Sequence, residues 1–242
     1  MRGGKGTKGP VQAQEKHPHI PVRRVLDRIV LGGSDGAIEC LAMTAALNGA
    51  AVVPHTIVLA GFAFSVAGAL SMFFSSYLST KAEIDSLRID IEREKMEIET
   101  EPEEEREELE QLLEKEGYES KEIAVIMNRL ERDKEMWLRE QLRRELHLHI
   151  EDMATNPVGK SSSAGLAFLL LALVSLSPYL FGLSRVPALV SSVILSVAAL
   201  FLLGSKVFTL RNFSLKAGLE SAGVGALAAG VLYSFGLFIA SL

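Results

Sequence analysis

Five stretches of the 242-residue chain are apolar almost throughout, and one long stretch between the second and third is not. The first covers residues 25–53 and is broken only by Asp27, Arg28, Asp35 and Glu39. The second, 57–78, holds no charge at all, and the others cover 163–183, 186–207 and 215–242, the last with a single acid, Glu220. A helix of about 20 mostly apolar residues crosses the hydrocarbon core of a bilayer, so each stretch reads as a membrane span. Residues 184–187 are a short turn that makes the third and fourth spans a helical hairpin. Gly61, Ser65, Gly68 and Ser71 give the second span the small side chains that let membrane helices approach closely.

The interrupting stretch has a different pattern. It is built largely of Glu, Leu, Lys, Arg and Ile, all good helix formers, and Gly117 is its only glycine. Three helices are expected. The first continues from the second span to about Glu116, with Pro102 kinking or dividing it and Gly117 ending it. The second starts at Ser120 as N-cap, with Glu122 nearby, and runs to about Leu130; the third runs over 133–150. The fold class is therefore an all-α integral membrane protein, five transmembrane helices with a three-helix cytoplasmic insert between helices two and three. Its parts are a flexible tail (1–22), spans one and two (23–80), the acidic insert (81–155) and spans three to five (156–242).

Charge sharpens this division. Residues 81–152 hold 25 of the 30 acids but 13 of the 25 Lys and Arg, a net charge of −12, which leaves +7 on the rest. So acidic a block argues against nucleic acid as its partner and favours cations. The single cysteine, Cys40, excludes a disulfide framework and any Cys-x-x-Cys site. The first 21 residues contain no apolar run, so no cleavable signal peptide is expected there. Lys and Arg concentrate in the tail (Arg2, Lys5, Lys8, Lys16, Arg23, Arg24, Arg28) and between spans four and five (Lys206, Arg211, Lys216), whereas the other short connections carry only Arg185. Positive loops stay in the cytoplasm, which places the N-terminus and the acidic insert there and the C-terminus on the opposite side.

Candidate chemistry lies in two places. In span one, Asp35, Glu39 and Met43 follow one another at four-residue spacing and fall on one helical face, with Cys40 beside them. Ionisable groups at bilayer depth are costly and usually line an interior path, although a structural pair or an interfacial position would also account for these two acids. Met72 in span two adds a second thioether, and sulfur among oxygen ligands moves preference from Mg, Ca and Mn toward Fe, Co or Ni. In the insert, Glu94 and Glu97, then Glu105 and Glu108, repeat after eleven residues, close to three helical turns, so a continuous helix would carry all four in one stripe. Composition alone reads that stripe as a solvated face, with Arg93, Lys95 and Arg106 offsetting part of its charge. His147, His149 and Glu151 form no His-Glu-x-x-His pattern. Gly33-Ser34-Asp35-Gly36 lacks the Gly-Lys-Ser/Thr ending of a phosphate loop, and with no nucleophile elbow either, no enzyme is expected.

The order of short motifs resembles the vacuolar iron transporter family. Gly32-Gly33-Ser34-Asp35-Gly36 is similar to its span-one Asp-Gly motif, Ala67-Gly68-Ala69-Leu70-Ser71-Met72 with Tyr77 and Ser79 to its span-two motif, and Glu97-Ile98-Glu99 with Pro102, Glu105 and Glu108 to the start of its metal-binding domain. The resemblance implies a homodimer that moves Fe2+ out of the cytoplasm in exchange for protons, with related divalent ions such as Mn2+ as further cargo; Co2+, Ni2+ and Zn2+ are other candidate ions, in no set order. It puts Asp35 and Met72 in the transport path and Glu94, Glu97, Glu105, Glu108 and Glu145 in the insert's metal site; Glu39 and Met43 are candidates from spacing alone. The membrane would be the vacuolar one in a eukaryote and the plasma membrane in a prokaryote. Two places depart from the family pattern. Ser75 and Ser76 stand where the family has Gly-Glu, removing an acid, and Gln141 and Leu142 stand where it has methionines, removing soft ligands. Two other classes compete: a membrane-anchored metal sensor or scaffold that transports nothing, and a divalent-cation channel.

Overall fold

The structure, a computed structural model, describes residues 19–146, 156–205 and 213–242, and every regular element among them is helical. In chain order these are α1 (His19–Gly49), α2 (Pro54–Thr100), α3 (Pro102–Lys115), α4 (Ser120–Leu130), α5 (Lys134–Arg144), α6 (Pro157–Leu180), α7 (Arg185–Gly204) and α8 (Leu215–Ala240). Five of them, α1, α2, α6, α7 and α8, are long and apolar enough to cross a membrane, as the hydrophobic pattern requires.

α1 is the hub of the membrane bundle and packs on α6, α8, α7 and α2. Its glycines make this possible. A Cβ added to Gly32 would lie 2.2 Å from the Ala164 carbonyl oxygen, and one added to Gly36 would lie 2.2 Å from that of Phe168. Only glycine permits so close an approach of two helix backbones, so these residues set the α1–α6 seam. Some of the polar side chains buried between the spans bond across the helix seams. Asn48 Nδ2 donates to Tyr179 Oη at 2.6 Å, and Ser192 Oγ donates to the Ser175 carbonyl at 2.6 Å, tying α1 to α6 and α6 to α7. The α6–α7 connection turns at Gly182, with φ +74°, and Arg185, Val186 and Pro187, expected in the turn, form the first turn of α7 instead.

α2 has 47 residues. At 1.5 Å per residue it is about 70 Å long, more than twice the roughly 30 Å needed to cross a bilayer. Its C-terminal half therefore continues past the span and becomes the first wall of a second, smaller bundle, against which α3 and α5 pack, with α4 closing on both. The core of that bundle is Ile98, Leu109, Leu113, Ile123, Met127, Leu130 and Trp137.

The insert differs from the sequence expectation in three respects. The first helix does not run on to Glu116: Glu101 leaves the helical region (φ −130°, ψ 48°) and α3 starts afresh at Pro102. Proline has no N–H to continue the ladder and crowds the residue before it out of the α conformation, so of the two outcomes open to Pro102 the structure takes division. The N-cap of α4 is Glu119, not Ser120, in a reciprocal capping box with Glu122. α5 ends at Arg144, short of the expected boundary. His147, His149 and Glu151 lie outside the described residues, as do Lys206, Arg211 and the tail before His19.

Candidate metal centre

The buried stripes of α2, α3 and α5 each carry a polar residue where an apolar one would be expected, whereas that of α4 is wholly apolar. On α2 the inward positions are Ile84, Leu87, Ile91, Glu94 and Ile98, spaced three and four residues apart, and Glu94 is 2% exposed. On α3 they are Glu105, Leu109 and Leu113, with Glu105 6% exposed. On α5 they are Trp137 and Gln141, with Glu145 one turn further on as the exposed C-cap residue. Because α2 and α3 are separate helices that fold against one another, Glu94 and Glu105 do not share one stripe. They face each other, and α5 brings Glu145 to the same point.

One oxygen from each of Glu94, Glu105 and Glu145 can be chosen so that all lie within 4.8 Å of one another. Oxygens held by a single divalent ion at about 2.0–2.6 Å are at most about 4–5 Å apart, so small side-chain rotations would close this set on one ion. Gln141 Nε2 donates to Glu105 Oε2 and to Glu145 Oε2, both at 2.9 Å. Arg93 Nη2 donates to Glu94 Oε1 at 3.3 Å and its Nε lies 3.7 Å from Glu97 Oε2, but the Arg93 side chain is half exposed.

Magnitudes decide what this arrangement means. Two carboxylates about 5 Å apart at an effective dielectric of about 20 repel by roughly 3 kcal/mol. A half-exposed ion pair returns at most about 1 kcal/mol, so Arg93 does not offset the repulsion. The carboxyls respond as expected. Burial raises the pKa of Glu94 from the ordinary range, and the charge of Glu145 raises it further. Burial, then the charges of Glu94, Glu108, Glu145 and Glu97, push Glu105 up to about 7. Glu97, half-buried, and Glu108, exposed, thus lie within electrostatic reach of the same centre without belonging to its tight three-carboxylate set. Such a cluster takes up either protons or a divalent cation, and a solvated face would have buried none of it.

The span-one candidates are arranged differently. Asp27, Leu31, Asp35 and Glu39 follow one stripe of α1; Asp27, Leu31 and Glu39 are exposed and Asp35 is half-buried. Met43 continues the four-residue spacing and is half-buried like Asp35; it and the half-buried Met72 of α2 pack partly against one apolar cluster, which contains Cys40, Phe168 and Leu176. Asp35 and Glu39 are not gathered with a third His, Cys, Asp or Glu side chain among the described residues. The sequence marks Gln141 only as a lost soft ligand; its hydrogen bonds to Glu105 and Glu145 were not foreseen, and their signal was the four-residue spacing Trp137, Gln141, Glu145, which puts it on a buried face.

The fold is that of a multi-pass helical membrane protein, and its one gathered cluster of carboxylates among the described residues is of the kind that binds hard cations. The chain belongs to the VIT family, whose sequence model matches residues 26–237, from the first span through the insert to the last. It is 31% identical to Vacuolar iron transporter 1 of Eucalyptus grandis over 91% of this chain and 88% of that protein. It is 32% identical to the Vacuolar iron transporter of Centaurea cyanus, over 91% of this chain and 90% of that one. For Vacuolar iron transporter 1 of Arabidopsis thaliana the figures are 30%, 89% and 86%. Metal-ion transport is the activity this membership supports.

Proposed function

We propose that this protein exports Fe2+ from the cytoplasm in exchange for protons, working as a homodimer whose acidic insert collects the ion. The observation that carries the reading is the convergence of Glu94, Glu105 and Glu145, from three helices, beside a bundle of membrane spans. Glu97 and Glu108 extend the charge around this centre and let the insert hold more than one ion. The Lys and Arg distribution supports a cytoplasmic insert, so ions are gathered on the side from which they leave.

Beyond the insert, Asp35 and Met72 act as ligands in the transport path, with Glu39 as a proton or ion carrier and Met43 as an auxiliary thioether. A carboxylate left against lipid costs a few kcal/mol on insertion scales. The exposed stripe of Asp27, Leu31 and Glu39 with half-buried Asp35 therefore needs a cover, and a second copy of the same stripe supplies one and forms a path between the two. Proton exchange follows from the ligand chemistry, since a carboxylate must lose its proton to take a metal and regains one on release. Mn2+, Co2+, Ni2+ and Zn2+ are further candidate cargoes, in no set order. The membrane is vacuolar in a eukaryote and the plasma membrane in a prokaryote.

The collector role is tested with the Glu94→Gln, Glu105→Gln double variant in proteoliposomes. Uptake should fall by at least about tenfold at low micromolar Fe2+ and recover at millimolar Fe2+, because the path itself is intact. Uptake equal to wild type at every concentration would remove the insert from the transport account.

A further inference from the structure

One member of the insert cluster is a neutral side chain. Gln141 is wholly buried, its Nε2 bridges Glu105 and Glu145, and its Oε1 has no hydrogen-bond partner among the described residues. A buried carbonyl without a partner is unusual, costing about 1–3 kcal/mol. Its surroundings offer one role for it. The amide nitrogen stands between two carboxylates, which is where a cation shared by them would sit, and a cation there repels N–H and attracts the carbonyl. The oxygen and nitrogen of a glutamine amide exchange places by a half-turn of the terminal torsion with almost no change in volume, so the surrounding core need not move.

Resting on the reading of this cluster as a cation site, we propose that Gln141 is itself a metal ligand through Oε1, and that it makes the centre an all-oxygen site of Glu94, Glu105, Glu145 and Gln141. Oxygen-only sets suit hard ions such as Mn2+, whereas a thioether at the same place would favour later, softer ions. The collector therefore does not select against Mn2+ in favour of later first-row metals, and position 141 is its specificity-determining residue. The neutral amide does this without adding to the repulsion among the acids, which a fourth carboxylate would increase.

The test uses the full-length protein in detergent, titrated calorimetrically with MnCl2 and with CoCl2, the latter stable to air. Gln141→Leu, close in volume and without an oxygen, should weaken Mn2+ binding by about tenfold. Gln141→Met should raise the affinity for Co2+ relative to Mn2+ by a similar factor, a change that mere repacking of the core would not produce. Wild-type Mn2+ affinity in the Leu variant together with an unchanged Mn2+ to Co2+ ratio in the Met variant overturns the role of Gln141 and leaves the carboxylate site standing. Absence of binding in the wild-type protein overturns the site itself and this role with it. Should Gln141→Leu lose native Trp137 emission, the ratio in Gln141→Met decides alone.

Discussion

Trp137 is the chain's one tryptophan and is 4% exposed in the core of the insert, a turn before Gln141, so its emission reports on that bundle and not on the spans. This makes the electrostatics of Glu105 measurable. Its carboxyl, like that of Glu94, is raised above the ordinary value of 4.5, to about 7 for Glu105, so the folded insert holds protons more tightly than the unfolded chain. The stability this confers is fully present below about pH 4.5 and is lost as pH rises through about 7. In metal-free buffer the urea midpoint followed by Trp137 emission should therefore fall between pH 5 and pH 8, and Glu105→Gln should flatten that fall. A midpoint that climbs with pH, as acids in favourable ion pairs would give, contradicts the cluster. The acids themselves were legible in the sequence; their burial was not, because a glutamate-rich helix looks the same whether its face meets water or another helix. The distinguishing detail is the set of positions they occupy. Glu94 interrupts the series Ile84, Leu87, Ile91, Ile98, and Glu105 stands one turn before Leu109 and Leu113.

Among the elements, α3 matters most for bringing the acids together. It begins at Pro102, and the division it enforces folds Glu105 back toward Glu94. A continuous helix would have kept the two eleven residues, about 16 Å, apart along its axis. Sequence periodicity could show that 94, 97, 105 and 108 share a phase, but not that the helix breaks between the two pairs, since proline permits either a kink or an end. α3 is held by Leu109 and Leu113, both 0% exposed. Leu109→Ala should lower insert stability by about 2–5 kcal/mol, read as a drop in the Trp137 urea midpoint, and should weaken Mn2+ binding in parallel because Glu105 loses its seat. Loss of stability with unchanged Mn2+ affinity would mean that α3 does not position the site. The spans were far easier to read than the insert. Apolar runs set by bilayer thickness gave boundaries within a few residues of α7 and α8 but began six residues late for α6, and helix caps such as Glu119 were missed because a glutamate there acts through a reciprocal pair with Glu122.

For the molecule as a whole, the sequence contained the five spans, the acidic domain between the second and third, and the motifs that mark the VIT family. It did not contain the direction in which Asp35 and Glu39 point. That depends on which faces of α1 are taken by α6, α7 and α8, and Gly32 and Gly36 fix this through backbone contacts that no hydrophobic pattern records. On the function proposed above, the cluster gathers divalent ions and the uncovered stripe passes them across the membrane against protons. The most direct test follows both fluxes at once, in proteoliposomes loaded with a pH-sensitive dye, with the insert facing outward and Fe2+ added outside. Wild-type vesicles should accumulate Fe2+ while their interior becomes more alkaline, and Asp35→Ala should abolish both signals. Fe2+ accumulation in the Asp35→Ala vesicles equal to wild type, or accumulation without any proton movement, would contradict the account.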